Sequence, residues 1–198
     1  GRIEDMRAAE VFRLGILDED YDVFWVATAI HRKLRTPQAV SALLASLEHE
    51  DWMRQVRAAS VLMTTGEKRA IEPLKKAVED RNRNERARRQ SIHALGMVGK
   101  TEATDTLLTV LNGKDPQMQK EALVSLSYTG DPRIVGILLD AANKKPEDIR
   151  SHIYIRNLGA TGSRSMLEKL EQIIQKEKYF DLRIQETIKE SIDILRQR

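Results

Sequence analysis

The hydrophobic residues of this chain recur three and four positions apart, which is the pattern of amphipathic helices. Residues 87–99 and 118–126 show this spacing before a glycine, and residues 66–78 and 130–139 show it after one. The pattern therefore predicts units of two helices joined by turns that contain glycine.

The glycines at these turns are regularly spaced along the chain. Gly66, Gly99, Gly130 and Gly162 lie 33, 31 and 32 residues apart, and such internal similarity is typical of repeat proteins. A glycine at the end of a helix can adopt the left-handed conformation that closes the helix without a steric penalty. We therefore expect these glycines to end the helices that precede them.

Aspartates mark the start of the second helix in most of these units. A carboxylate at this position accepts hydrogen bonds from free backbone N–H groups and complements the helix dipole. These aspartates are Asp20, Asp51, Asp115 and Asp148. Counting outward from the turns gives six helix pairs, over residues 1–34, 36–65, 67–98, 100–129, 131–161 and 163–198.

We expect the chain to form a single domain over residues 1–198. One repeat cannot bury its hydrophobic face alone, so neighbouring repeats must stack into a continuous core. The last helix, Asp181 to Arg198, has apolar residues on one side and charges on the other, as expected of a terminal capping helix.

Composition agrees with an all-α fold, since aromatic residues make up 5% of the chain and helix-forming residues dominate. The absence of cysteine excludes a disulfide framework and thiolate metal sites, and we expect a cytoplasmic protein. No apolar run approaches the roughly 18 residues of a membrane span. Because the chain begins with Gly1 rather than Met, we expect it to have been cut or processed, and a domain of a larger protein is one alternative.

The repeat resembles the HEAT-like repeat of phycobilisome lyases and of many bacterial scaffold proteins. The family pattern is D-x-x-V-R-x-x-A-A-x-A-L-G-x-I-G followed by x-x-R-A-I-E-P-L, and the segments Ala87 to Gly99 and Gly66 to Val78 match it best. Asp20-Tyr21 and Asp51-Trp52 repeat the aspartate and an aromatic residue after it. The resemblance implies an all-α, right-handed α-α superhelix of about six helix pairs.

The resemblance also implies that the helix beginning at D-x-x-V-R lines the concave face of the superhelix, where a partner would bind. Trp, Tyr and Arg most often dominate binding energy, so the first three repeats are the expected contact region, although Trp25 and Trp52 fit packing between repeats equally well. The candidate partner-binding residues are Tyr21, Trp25, Trp52, Met53, Arg57, Arg86, Arg89, Gln90, His93, Gln117, Lys120, His152 and Arg156.

The charge is distributed unevenly, although the chain as a whole carries a net charge of only +3. Residues 81–89 hold five arginines and one glutamate, and guanidinium groups bind carboxylates or phosphates through two parallel hydrogen bonds. An acidic partner is therefore our hypothesis for this region. For Arg57, Arg88 and Arg150 the resemblance favours a structural role instead, in which the consensus arginine pairs with a turn aspartate.

The sequence contains no recognisable catalytic or metal-binding pattern. His31, His49, His93 and His152 lack the spacing that brings imidazoles onto one ion. The deoxyhypusine hydroxylases, another HEAT family, use repeated His-Glu pairs for a di-iron site, and His49-Glu50 is the single such pair here. We therefore expect no metal, no cofactor and no enzymatic activity.

The leading hypothesis is a scaffold that binds a partner protein or peptide in the concave groove. One alternative is a bilin lyase or a chaperone-like lyase subunit, which the resemblance permits. The other is a nucleic-acid-binding HEAT-like protein, suggested by the arginines and the aromatic residues available for stacking. The near-neutral overall charge argues against nucleic acid.

Overall fold

The structure is a computed structural model that describes residues 14–15, 18, 20–34, 37–176 and 180–197. The side chains of Tyr21, Lys176 and residues 30–34, which include His31, lie outside this description. The α-helices are α1 (Tyr21–Leu34), α2 (Pro37–Leu47), α3 (Trp52–Thr65), α4 (Ile71–Glu79), α5 (Glu85–Gly99), α6 (Thr104–Leu111), α7 (Pro116–Ser127), α8 (Val135–Lys144), α9 (Ile149–Thr161), α10 (Arg164–Lys176) and α11 (Leu182–Arg196).

The part of the chain that the structure describes contains no β-strand, which confirms the predicted all-α class. Short 3-10 turns at Lys68–Ala70, Lys100–Ala103 and Pro132–Ile134 lead into α4, α6 and α8. None of the described helices is both long enough and apolar enough to cross a lipid bilayer.

The chain divides into two compact units, unit 1 (Gly1–Val98) and unit 2 (Gly99–Arg198). In unit 1, α2 packs against α3 and α4. The apolar spacing seen in the sequence places one face of each helix inside, and its largest fully buried side chains include Leu43, Leu47, Leu62 and Leu74. The single domain over residues 1–198 and its repeat boundaries stay predictions.

Unit 2 is built around α9, which packs against α7, α8 and α11. The backbones of α9 and α11 approach closely at Gly159, where an added Cβ would lie 2.9 Å from the Cα of Ser191. The Ser191 hydroxyl donates to the carbonyl of Ile155 at 2.8 Å. A glycine in the middle of α9 therefore lets the backbones of α9 and α11 come together.

The predicted aspartate caps are confirmed. The side chain of Asp51 accepts from the N–H of Met53, and that of Asp115 accepts from Gln117 and Met118. Asp148 caps α9 through the N–H of Arg150, and Asp20 caps α1 in the same way. These carboxylates explain why successive second helices begin at similar points in the repeat.

The left-handed conformation expected at the turn glycines is found at two of the four, while Gly162 ends α9 without adopting it. Gly66 and Gly130 have φ values of 64° and 71°, in the left-handed region. At the second turn α5 continues through Gly99, which has a φ of −76°, so the left-handed position falls on Lys100 with a φ of 49°. Gly162 is extended, and an added Cβ there would lie 2.5 Å from the Leu158 carbonyl oxygen, so close packing explains this glycine.

Candidate protein-binding surface

The second helices of unit 1 carry a group of aromatic, apolar and basic side chains that remain in contact with solvent. We call this group the aromatic–arginine surface and define it by Trp25, Trp52, Met53, Arg86 and Arg89. Trp25 and Met53 are each 46% exposed. Arg86 is exposed, and Trp52 and Arg89 are half-buried.

Helix capping explains why these residues occupy comparable positions. Met53 and Arg86 each follow an N-terminal cap, Asp51 and Asn84, by two residues, and each donates its backbone N–H to the cap side chain at 2.9 Å. Trp25 and Arg89 each lie five residues after a cap. The same helical position therefore carries a different side chain in successive repeats.

Trp52 and Arg86 contact each other between α3 and α5. The guanidinium carbon of Arg86 lies 5.5 Å from the centre of the Trp52 ring, which is within the range of a cation–π interaction. Trp52 is the first residue of α3, so its ring stands at the helix end beside the start of α5. The contact orders an arginine that is otherwise exposed.

Arg57 makes a related contact between α3 and α1. Its guanidinium carbon lies 5.2 Å from the centre of the Phe24 ring, and its Nη1 donates to the carbonyl of Asp18 at 2.9 Å. Phe24 is buried, and its ring meets that of Trp25 edge-on with the centroids 5.6 Å apart. Phe24 therefore anchors the base of Trp25 while the indole remains partly exposed.

The arginines of residues 81–89 have different environments. Arg83 is nearly buried and donates to the carbonyl of Leu47 at 2.5 Å, with Glu48 and Asp80 at 3.5 and 3.7 Å. Arg88 donates to the carbonyl of Val78 through Nε and Nη2. The predicted pairing of Arg88 with a turn aspartate is therefore wrong, because the carbonyl at the end of α4 lies within its reach.

Arg150 does pair with a turn aspartate, as predicted. Its Nη2 lies 2.9 Å from Oδ2 of Asp148, while its backbone N–H donates to the same carboxylate. The hydrogen bond from the Arg150 side chain is the main cause that lowers the pKa of Asp148 below its ordinary value. Arg183 and Asp181 repeat this arrangement, and the pKa of Asp181 is lowered for the same reason.

The remaining candidates of unit 2 have mostly internal partners. His152 is half-buried, and its Nδ1 lies 2.8 Å from Oγ1 of Thr187 while its Nε2 lies 3.2 Å from the carbonyl of Pro146. Both ring nitrogens thus have partners inside the unit, and contact of His152 with a binding partner stays a prediction. The Gln117 side chain donates to Glu121 at 3.1 Å.

The other candidates differ in exposure. Arg156 is exposed and lies 3.9 Å from Glu190, and Lys120 is half-buried. Gln90 and His93 are half-buried on α5. The side chain of Tyr21 belongs to the part of the chain outside the description.

Sequence reasoning missed several exposed apolar residues. Ile149 and Leu182, which are 74% and 75% exposed, are the first residues of α9 and α11, directly after the caps Asp148 and Asp181. Val26 on α1 is 62% exposed. The sequence does contain a signal for Ile149 and Leu182, because each directly follows a capping aspartate, as Trp52 does at the start of α3.

Within the described ranges, no three His, Asp or Glu side chains lie close enough together to hold a metal ion. His49 instead serves the start of α3, where its Nδ1 accepts from the N–H of Asp51 at 3.0 Å. Its Nε2 lies 3.2 Å from Nη1 of Arg54. The His49-Glu50 pair is therefore part of a helix start.

Comparisons with known proteins agree with the repeat pattern. Residues 81–158 match the model of HEAT repeats, and residues 55–80 match the model of the PBS lyase HEAT-like repeat. Together these matches cover residues 55–158, which is more than half of the chain. No curated protein sequence matches the chain.

Solved structures share the fold over nearly the whole chain. Human deoxyhypusine hydroxylase in complex with glycerol is 13% identical with a TM-score of 0.58, and the match covers 100% of both chains. The complex of CpcE and CpcF of phycocyanin lyase from Nostoc sp. PCC7120 is 18% identical with a TM-score of 0.55, over 98% of this chain and 84% of that one. An engineered protein is 14% identical with a TM-score of 0.51, over 98% and 97%. At these identities the likeness shows the fold alone.

Proposed function

Because this chain belongs to the HEAT-repeat proteins, we propose that it is a non-catalytic scaffold that binds a partner protein or peptide through the aromatic–arginine surface. The observation that carries the proposal is the exposure of Trp25 and Met53 together with the contact of Arg86 with Trp52, the residue before Met53. Large apolar side chains that stay exposed next to arginine are the composition of binding hot spots.

The energetic argument rests on rigidity. Trp25 is held by its edge-on contact with the buried Phe24 ring, and Arg86 by the Trp52 ring. A side chain that is ordered before binding loses less conformational entropy when the partner covers it. Burial of Trp25 and Met53 would supply the hydrophobic part of the affinity, because each still has almost half of its surface in water.

The proposal is tested by capture from a cell extract with the immobilised chain, followed by mass spectrometry. The Trp52→Ala and Arg89→Glu variants should each lose the specific partner, because both change the aromatic–arginine surface. Arg164→Glu makes the same charge change at a side chain in unit 2 that is 93% exposed, and it should leave capture unchanged. Equal capture by all of these variants would reject this surface.

A second candidate function is assistance to bilin attachment, as a lyase or a chaperone-like lyase subunit. It is supported by the match of residues 55–80 to the PBS lyase HEAT-like repeat and by the likeness to CpcE and CpcF of phycocyanin lyase. Mixing the chain with a linear tetrapyrrole should then change the visible absorbance spectrum of the pigment. An unchanged spectrum, with no transfer of the pigment to an acceptor protein, would remove this candidate.

A further inference from the structure

Arg86 combines exposure with a fixed position, and the structure gives it no ion pair among the described residues. Its guanidinium group lies over the Trp52 ring, and a guanidinium so placed keeps N–H groups at its edge that can donate to a carboxylate. We infer that Arg86 on Trp52 is a carboxylate anchor and that the docking segment of the partner is an acidic protein segment. The inference rests on the proposed function and names the chemistry of its partner.

The neighbouring arginines show why Arg86 differs from the rest of the run. Arg83 and Arg88 are committed to main-chain carbonyls of α2 and α4. Arg89 lies 3.8 Å from Glu85, whose side chain is 63% exposed, and an ion pair of this kind contributes little because water competes for both charges. Arg89 can therefore exchange Glu85 for a carboxylate of the partner, beside the anchor at Arg86.

The apolar part of the surface decides between a protein segment and a nucleic acid. Met53 occupies on α3 the helical position that Arg86 occupies on α5. An apolar side chain of the partner would therefore bind at Met53, next to the partner's carboxylate at Arg86. A nucleic acid offers a row of phosphates and needs several cations to neutralise them. This surface offers two arginines, with Glu85 directly before the first of them in sequence, which fits an acidic segment with interspersed apolar residues.

The probe is a soluble synthetic peptide rich in glutamate with leucine at every third or fourth position, and its matched control has glutamine in place of each glutamate. Binding is followed by tryptophan fluorescence in a Trp25→Phe background, which leaves Trp52 as the reporter. The glutamate peptide should change the Trp52 emission in a saturable way, and added salt should weaken its binding. The glutamine peptide should bind at least about tenfold more weakly, as expected for the loss of charged hydrogen bonds.

Two variants in that background locate the anchor. Arg86→Gln should weaken binding of the glutamate peptide about tenfold. Arg81→Gln removes the same charge from an exposed arginine of the same run that has no aromatic contact, and it should change binding less than about twofold, since exposed charges are screened. Both variants are at exposed side chains and should keep the thermal unfolding curve of the parent, which circular dichroism verifies.

The outcomes separate this inference from the proposed function. Equal binding of the two peptides, or equal losses in Arg86→Gln and Arg81→Gln, would overturn the carboxylate anchor even if the immobilised chain still captures a partner through Trp52. Saturable binding of a single-stranded oligonucleotide that exceeds binding of the glutamate peptide, with a steep dependence on salt, would overturn it in favour of nucleic acid. Loss of partner capture in Arg86→Gln as well as in Trp52→Ala would support both the carboxylate anchor and the proposed function.

Discussion

Among the residues that the structure describes, two arginines of unit 1 lie over aromatic rings, whereas three arginines of unit 2 pair with a carboxylate two residues earlier. The first kind is seen at Arg57 with Phe24 and at Arg86 with Trp52. The second kind is seen at Arg133, Arg150 and Arg183. Unit 1 also has one pair of the second kind, Arg69 with Glu67, at the 3-10 turn before α4.

The two arrangements differ in whether the positive charge of the arginine is neutralised. A guanidinium that pairs with the capping carboxylate of its own turn is neutralised there and strengthens the start of a helix. A guanidinium over a ring is attracted by the electrons of the ring face and is not neutralised by it. In unit 2 the second helices α9 and α11 meet through close packing at Gly159, while in unit 1 α3 and α5 meet through the contact of Trp52 with Arg86. We therefore expect substitutions in unit 2 to lower mainly the free energy of unfolding, and substitutions in unit 1 to reduce mainly the capture of a partner.

The largest expected effect is on the close packing in unit 2. Gly159→Val should lower the free energy of unfolding by about 3 kcal/mol, because overpacking at a tight backbone contact forces the two helices apart. The first added carbon would lie 2.9 Å from the Cα of Ser191. Urea denaturation followed by circular dichroism measures the change.

The control for this substitution is Gly136→Ala on α8, where an added Cβ meets only the Cδ1 of Ile173 at 3.8 Å. It should be neutral or should stabilise by roughly 0.5–1 kcal/mol, since glycine is a poor helix former. If Gly159→Val proved as stable as the parent chain, the packing of α9 on α11 described above would be wrong.

An intermediate effect is expected at His152. His152→Phe removes the contacts with Thr187 and with the carbonyl of Pro146 and should cost roughly 1–2 kcal/mol of unfolding free energy. Partner capture should persist under conditions where the variant is folded. Loss of capture with unchanged stability would restore His152 to the binding surface and contradict its internal role.

A smaller effect that depends on pH is expected at Asp148. Asp148→Ala should cost about 1 kcal/mol near neutral pH, as is typical of a lost N-terminal cap. Because Arg150 lowers the pKa of this carboxyl in the folded state, the unfolded chain takes up the proton first as the solution is acidified. The contribution of Asp148 is thus complete above its ordinary pKa of about 3.9 and decreases at lower pH.

Denaturation at a series of pH values checks this prediction. The difference between the parent chain and Asp148→Ala should be constant from pH 7 to about pH 5 and should shrink below about pH 4. Asp148→Asn keeps the capping oxygen but cannot titrate, so it should show a shallower loss of stability in acid than the parent. A difference in unfolding free energy between the parent and Asp148→Ala that grows on acidification would contradict the lowered pKa of Asp148.

The smallest effect on stability belongs to the aromatic–arginine surface. Met53→Ser should change the free energy of unfolding by less than about 0.5 kcal/mol, because 46% of this side chain is already exposed. It should nevertheless reduce partner capture. Thr64→Ala, at an exposed position near the other end of α3, should change neither property. A loss of stability in Met53→Ser comparable to that of Gly159→Val would contradict the contrast between the units.

The sequence predicts the helices well because their apolar spacing and their capping aspartates are local signals. The ends of individual helices depend on single residues, and the pattern does not determine them. Lys100 takes the left-handed position in place of Gly99, although a side chain there costs roughly 1–2 kcal/mol. No local feature of the sequence indicates that α5 continues one residue further than α3.

The candidate surface is harder to predict, because the partner of a long side chain lies far away in the sequence. Arg83 and Arg86 are three residues apart, yet one donates to Leu47 of α2 while the other lies over the Trp52 ring. His152 was predicted on the same grounds as Arg86, and Thr187 of a later helix engages it. Residue type and helical position identified the candidates, and tertiary packing decided which of them remain exposed.

The recurrence of equivalent positions on successive second helices has a consequence for how such proteins diverge. Trp25 and Arg89 stand at matching places, and neither belongs to the buried core. Substitution there can redirect recognition while the inward-facing leucines and alanines preserve the architecture. Because exposed and buried positions are separate, the surface can vary while the fold is kept, which agrees with a shared fold at 13% identity.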